Sequence, residues 1–486
     1  MADVVVLGGG VSGHTAALHL RRKLDSEHTV TVVTPNADWN WIPSNIWVGV
    51  GKMPAKKVLF PLAPVYKKQR INFHQARAVA IRPEGDDVDT RGAVDIVHTS
   101  TGRSGESERI RYDYLINATG PQLKFSMTPG LGPDDDGHTV SVCTASHATE
   151  AAASLKSTIT KLKAGQPQTL VVGMGHGMCT CEGAAFEYVF NVDHELREAG
   201  VRERARLIYL TNESGLGDFG VGGMTFSERG FETSSELWTA SIFRERGVEA
   251  ILGAHVERVE PGVIHYETLD GERHALPFDF GMLLPPFGGV ALSAYDRSGA
   301  DITSEMFAPN GFMKVDADYS GKPYDQWRAS DWPSTYITPA FDNIWAVGIA
   351  FAPPHAISKP HVSANGTNIT PSPPRTGMPS GVMGKTAAMT IVDRITLGCD
   401  TAPREASMAT MGAACVASAG AGLTRGSAAA MVMMPVVPDH ERYPTGRSLK
   451  DTRGEIGLSG HWVKLMLHYL FIHKAKARLG WQFIPE

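Results

Sequence analysis

The chain is poor in cysteine and has no long apolar run. Five cysteines, at 143, 179, 181, 399 and 415, are spread through 486 residues. An odd, sparse set excludes a disulfide scaffold. Cys179-Thr-Cys181 has no second pair at metal-ligand spacing, so no zinc site is expected. No stretch offers the roughly 18 uninterrupted apolar residues of a spanning helix, so any membrane contact is expected to be peripheral. No basic leader precedes the opening run VVVLGGG, and no export signal is expected. An excess of positive charge is also lacking: the formal net charge is −5, which gives no general attraction to nucleic acid.

What is present suits a large, loop-rich enzyme. The chain is 42% hydrophobic and 20% charged, with 51 glycines and 30 prolines. Its length allows two or three domains around a sizeable core. Residues 3–33 read as strand, glycine turn, helix and strand, and ERIRYDYLINATG (108–120) ends in another buried strand. Residues 169–215 repeat the strand–glycine loop–helix–strand plan, and FDNIWAVGIA (341–350) adds a further strand. The expected fold class is α/β: two Rossmann-like dinucleotide-binding units and a C-terminal membrane-associating helical region. The expected boundaries are 1–165 with 300–398 for a discontinuous first unit, 166–299 for the second and 399–486 for the C-terminal region.

The two glycine loops differ. Gly8-x-Gly10-x-x-Gly13 has the spacing for a tight turn, a close backbone approach to pyrophosphate and close helix packing. Thr34 and Pro35, however, stand where an acid should hold a ribose hydroxyl, and Asp38 is the nearest acid. The second loop lies in TLVVGMGHGMCTC (169–181). Gly173-x-Gly175 opens it, but Met178 stands where the third glycine belongs, and Cys179 and Cys181 follow. Met178 would crowd a pyrophosphate, and no acid follows the later strand until Glu213. Sulfur or disulfide chemistry is expected there in place of a nicotinamide.

With Ala118-Thr119-Gly120 and the turn ending at Gly348, the frame resembles the flavoproteins of the pyridine nucleotide–disulfide oxidoreductase superfamily. A narrower resemblance runs through most of the chain. PSNIWVGVG (43–51), SVCTASHA (141–148), CEGAAFE (181–187), GLGDFGVGG (215–223), LLPPFGG (283–289), RTGMPSGVMGKTAA (375–388) and AACVASAG (413–420) resemble blocks of the sulfide:quinone oxidoreductases. The resemblance implies FAD on the first unit, held by Gly8, Gly10, Gly13, Thr34, Asn45, Ala118, Thr119, Gly120 and Gly348. Lys385 is expected at an amide-rich helix start that faces the flavin. The implied reaction oxidises sulfide to polysulfide or elemental sulfur and reduces membrane quinone. The implied place is a peripheral (monotopic) position on a prokaryotic cell membrane. The partners are sulfide, quinone and the bilayer surface, with a second copy of the chain as a further candidate.

By the same resemblance Cys143, Cys181 and Cys415 match the family's three cysteines, and Cys181 and Cys415 form a disulfide or polysulfide bridge that hydrosulfide attacks. The helix start after Cys181 is expected to lower its pKa. Cys143 is read as a flavin anchor or sulfur carrier, Cys179 as a packing residue and Cys399 as structural. Glu187 is the expected base near sulfur, and His147 the expected proton donor near quinone. Asp218 replaces the family's histidine in the GLGDFGVGG block. In the tail 461–481, aromatics and Lys464, Lys474, Lys476 and Arg478 flank an apolar stretch, which suits a helix lying among headgroups. Phe351 and the tail aromatics are expected to line a quinone entrance. The competing readings are a type II NADH:quinone oxidoreductase, the flavin subunit of a cytochrome-linked sulfide dehydrogenase, and a flavin-containing sulfur carrier or redox sensor that does not turn over.

Overall fold

In the computed structural model, which describes all residues but 135, 229, 376, 421, 422 and 425, each glycine loop terminates a parallel strand. Asp3–Leu7 (β1) is buried from Val4 to Leu7, as a central parallel strand covered on both faces must be. Val11–Lys23 (α1), Thr29–Thr34 (β2) and Asn45–Gly49 (α2) follow. Asn72–Arg82 (β3), Gly92–His98 (β4), Ser107–Tyr112 (β5) and Tyr114–Asn117 (β6) continue the sheet. The order is β6-β1-β2-β3-β4-β5. β1 runs parallel to both β2 and β6, whereas β3, β4 and β5 form an antiparallel meander. The chain leaves β1 between two neighbours whose connections diverge, so residues 8–10 sit at the switch point where open α/β sheets bind ligands.

Ala145–Lys163 (α3) leads to the second sheet: Gln168–Met174 (β7), Glu182–Glu198 (α4), Ala205–Leu210 (β8), Glu249–Ile251 (β9) and Phe280–Leu284 (β10). Its order is β9-β8-β7-β10, all parallel. Ile344–Ala346 (β11) then returns to the first sheet beside β6. Gly377–Leu397 (α5) packs on α1 so closely that a Cβ at Gly384 would lie 2.2 Å from the Ser12 carbonyl oxygen.

The C-terminal region adds an antiparallel sheet to the expected helix. Ala413–Gly420 (β12), Gly426–Met433 (β13) and Arg453–Gly457 (β14) form an antiparallel sheet, followed by Leu458–Ala475 (α6). Alanine favours helix in isolation, but propensity is a weak prior that tertiary packing overrides. Here small side chains let α6 approach the sheet: a Cβ at Gly460 would meet the Cβ atoms of Ala430 and Ala428 at 3.0 and 3.1 Å. Buried Arg447 ties this region to the loop 215–223. Its guanidinium donates to the carbonyls of Val221, Gly223, Pro435 and Val436 at 2.6–3.0 Å.

The helix that follows the second glycine loop is itself anchored. Asp193 on α4 is fully buried and accepts from Arg197, Arg202 and Arg246 at 2.9, 2.7 and 3.1 Å. Removing the charge leaves three guanidinium groups facing a neutral side chain. Asp193→Asn is therefore expected to cost about 3 kcal/mol, the low end of the range for breaking a buried ion pair. Chemical denaturation would show this as a lower midpoint with an unchanged slope.

Candidate active site

The first glycine loop is built to receive a diphosphate. Gly8 has φ +100°, and a Cβ there would lie 2.1 Å from the Ala118 oxygen. A Cβ at Gly13 would lie 2.0 Å from the Gly8 oxygen, so α1 touches the turn directly. A Cβ at Gly10, in contrast, would meet nothing within 4 Å. Gly10 is the N-cap of α1, and no side chain caps that end. The three glycines thus make a turn, an open approach and a close contact, in the order a pyrophosphate cradle needs. Around it lie the other residues expected to hold a cofactor. Thr34 and Ala118 are buried, and Thr119 donates to Asn117 from its amide and hydroxyl at 3.2 and 2.8 Å. Gly120 and Gly348 have φ of +72° and +66°, and Gly348 lies against Ser12 at the start of α1. Asn45 donates to the Val142 carbonyl at 3.2 Å, beside Cys143. Lys385 differs from the expectation. It lies two turns into α5, half-exposed, with Nζ 3.8 Å from Glu486 Oε1, and so does not stand at a helix start.

The second loop has the same plan and is closed by protein. The Gly177 amide donates to His255 Nδ1 at 3.0 Å, and the Met178 amide to His176 Nδ1 at 3.1 Å. Segment 368–372 covers the loop: the Thr370 amide donates to Gly177 O at 2.9 Å and the Ser372 amide to Cys179 O at 2.8 Å. A Cβ at Gly177 would lie 2.6 Å from the Asn368 oxygen. Glu213, where a ribose-binding acid would be sought, is buried and accepts from Tyr209, Thr211 and the Phe219 amide at 2.8–3.1 Å. The groups that would bind a second nucleotide are spent on the fold.

Thiols occupy this closed loop instead. All five cysteines are free. Cys181 is the N-cap of α4 at φ +75°, a left-handed conformation that a β-carbon makes costly and that marks functional positions. Cys415, 234 positions on in the sequence, is carried by β12 onto the same turn: a Cβ at Gly183 would lie 2.5 Å from its Sγ. That contact requires glycine two residues after Cys181. Cys143 precedes α3 and lies close enough for its charge to act on Cys181. The expected lowering of the Cys181 pKa by the helix start is overturned. Burial first, then the neighbouring Glu182, push its thiol up to about 12. Burial and then Glu187 push Cys415 up to about 12 as well. Buried Arg375 opposes this at Cys181, but its guanidinium is also held by the carbonyls of Ile349 and Phe351 at 3.0 and 2.6 Å. Cys179 is fully buried and donates to the Leu284 carbonyl at 3.1 Å, as a packing residue does. Cys399, expected to be structural, is exposed after α5, because the helix ends there at the surface.

A buried polar network joins Cys415 to α6. Glu187 Oε1 accepts from the Ser418 amide at 3.2 Å, and Oε2 from Lys464 at 2.8 Å. Burial raises the Glu187 pKa, and Lys464 opposes that rise. Ser418 also meets His461 Nδ1 at 2.6 Å, and His468 Nδ1 meets Ser44 at 2.9 Å. The tail bases thus correct their expected place: Lys464 and Lys474 point inward, Lys474 to Glu486 at 2.7 Å, because buried carboxylates await them. The outward face of α6 is apolar, with Trp462, Val463, Met466, Tyr469 and Leu470 exposed. Phe351 is fully buried against Trp332 and Tyr336 and lines no entrance. His147 is nearly buried in the first turn of α3, beside Phe125 and 3.6 Å from Asp134; among the described residues its Nδ1 has no partner. Asp218 accepts from Ser358 and from the Gly220 amide, and burial raises its pKa.

Sequence reading missed Lys464 as a base partner, along with Ser418, His461 and Arg375. A signal existed for the first: His461, Lys464 and His468 recur at helical spacing on an otherwise apolar helix, a buried polar stripe. Ser418 and Arg375 carry no comparable pattern.

Comparison with known proteins agrees with this architecture. Residues 2–284 match the family described as pyridine nucleotide-disulphide oxidoreductase. The sulfide-quinone reductase of Aquifex aeolicus (strain VF5) is 29% identical over 476 residues, which covers 97% of this chain and 91% of that protein. The X-ray structure of the sulfide:quinone oxidoreductase from the same bacterium has a TM-score of 0.73 at 27% identity, over 98% of this chain and 92% of that one. NDH2 from Plasmodium falciparum, solved in complex with NADH, shares the fold alone, with a TM-score of 0.60 at 13% identity over 97% and 94%. The family match runs through both glycine loops and the whole of the second sheet, more than a single motif could produce by chance, and the chain belongs to the pyridine nucleotide-disulphide oxidoreductase family.

Proposed function

We propose that this protein is an FAD-dependent sulfide:quinone oxidoreductase at the surface of a prokaryotic cell membrane. One observation carries the reading. The loop that would receive a nicotinamide nucleotide is closed by segment 368–372, while Cys181 and Cys415 converge on the helix turn beside it. The same closure disfavours an NADH:quinone oxidoreductase.

The open first loop fits FAD, with Gly8, Gly10 and Gly13 at the diphosphate and Thr34, Asn45, Ala118, Thr119, Gly120 and Gly348 around it. When bound, FAD supplies a two-electron acceptor. The chain's own residues handle sulfur and protons. In the oxidised protein Cys181 and Cys415 are bridged. Hydrosulfide attacks one sulfur of the bridge, forming one S–S bond and breaking another, and a cysteine thiolate leaves. Burial keeps both cysteines protonated near neutral pH when reduced, so hydrosulfide is the nucleophile and the departing cysteine sulfur takes up a proton as it leaves. The proton of the hydrosulfide goes to Glu187, whose carboxylate acts on Cys415 and is held in place by Lys464.

Membrane contact follows from the inverted polarity of α6. No helix among the described residues is long and apolar enough to cross a bilayer. An exposed apolar face with its bases turned inward suits a helix seated at the acyl boundary. The bacterial relative matched over nearly its full length supports the prokaryotic setting. Met466→Glu and Tyr469→Glu are each expected to weaken vesicle co-sedimentation at least about tenfold, from about 1.5–3 kcal/mol per buried side chain. Unchanged partitioning of the double variant would remove α6 from the membrane contact.

The central test is anaerobic mixing of the holoenzyme with sulfide or with NADH while following flavin absorbance. Bleaching by sulfide and recovery on adding quinone is expected. Bleaching by NADH alone would overturn the proposal. Bleaching by sulfide without recovery would assign the protein to sulfur sensing or to a cytochrome partner.

A further inference from the structure

The geometry points to a binding site for a borderline divalent metal ion, of the zinc, cobalt or nickel class, at His74, His98 and Glu108, separate from the thiol site. Strand register creates it. Ala76 on β3 pairs with His98 on β4, and Ile96 on β4 pairs with Glu108 on β5. Residues directly opposite share a face of the sheet, and so do residues two apart on one strand. His74, two before Ala76, therefore shares a face with His98, and Glu108 joins them through Ile96.

The three side chains converge as ligands would. His98 Nε2 lies 2.8 Å and His74 Nδ1 3.6 Å from the same Glu108 oxygen. One ligand atom from each of the three lies within 4.8 Å of the others. Ligands at about 2.0–2.1 Å from a tetrahedral zinc stand about 3.3 Å apart, and the two measured separations bracket that value. Two imidazoles and one carboxylate select borderline ions over magnesium or calcium. They leave a fourth position for water.

His98 is buried, while His74 and Glu108 are half-buried, so an ion has a path from solvent. The charged groups facing the cluster are Arg103 and Glu106, both on the exposed turn between β4 and β5. Arg103 lies 3.3 Å from the Glu108 oxygen and also pairs with Glu106 at 2.8 Å. A metal ion takes over the Glu108 oxygen, and Arg103 retains Glu106. No sequence motif announces the site, because the ligands are 24 and 10 residues apart and only the meander joins them.

The test is equilibrium dialysis of the FAD-loaded full chain against zinc, followed by metal analysis. One equivalent is expected in the parent and in Cys181→Ser. His74→Ala and Glu108→Gln should each weaken binding at least tenfold with flavin content unchanged, and Arg103→Ala should tighten it. Retention of the full equivalent in His74→Ala, loss of it in Cys181→Ser, or no zinc in the parent would overturn the assignment. The Cys181→Ser arm separates this site from metal captured by thiols.

Discussion

Cys181→Ser is expected to lower the rate of flavin bleaching by sulfide at least about a thousandfold, or about 4 kcal/mol. Cys415→Ser should do the same. The reason is covalent: a serine hydroxyl cannot join a bridge that hydrosulfide opens. Cys179 cannot stand in, because it is fully buried with its Sγ turned to the Leu284 carbonyl. Reoxidation by quinone of dithionite-reduced flavin should be unchanged in both variants, which separates sulfur chemistry from electron delivery. Cys179→Ser is the control and should turn over within a few-fold of the parent. A Cys181→Ser or Cys415→Ser rate within tenfold of the parent would refute the bridge.

Lys464→Met carries the second large effect. Lys464 and Glu187 form a 2.8 Å pair with both side chains more than nine-tenths buried. Removing one partner strands the other charge, at a cost of about 3–5 kcal/mol. The pH dependence gives the prediction its sign. Burial already raises the Glu187 pKa, and Lys464 is the first group opposing it. In Lys464→Met the folded pKa rises further above the unfolded one. The unfolded chain then releases its proton first, so stability falls as pH rises through the unfolded pKa and levels off above the folded pKa. The variant should therefore be closer to the parent in stability at pH 5 than at pH 8 in denaturant titrations. If Glu187 takes the hydrosulfide proton, the rising limb of the sulfide pH–rate profile should also move to higher pH. A pH-independent stability loss would reduce Lys464 to a packing residue. An unmoved rate profile would remove Glu187 from proton transfer.

Much of this was legible in the chain. Gly8 and Gly13 act at short range, since a Cβ at Gly13 would meet Gly8 O and one at Gly8 the neighbouring strand end at Ala118, while Gly10 leaves the approach open. The departure at Met178 pointed to a loop without a nucleotide, and the structure supplies the physical cause in the bonds from Thr370 and Ser372. The strands Ala413–Gly420 and Gly426–Met433 were not foreseen, because alanine-rich composition carries no strand pattern and β12 packs on α4, which lies far earlier in the sequence. The bases of the tail misled for a similar reason. A lysine on an apolar helix faces headgroups unless a buried carboxylate waits for it, and Glu187 lies 277 positions earlier.

The sequence by itself determined the two dinucleotide-type units, the degenerate second loop and the cysteines worth following. These depend on periodicity and on glycine placement, whose physics acts over a few residues. Only the tertiary structure decided that segment 368–372 closes the second loop and that Cys415 rests on Gly183. It alone set the thiol pKa values high, turned the charges of α6 inward and aligned His74, His98 and Glu108. Burial, strand register and ion pairing between distant residues have no local signature, because each is a property of which surfaces meet when the chain folds.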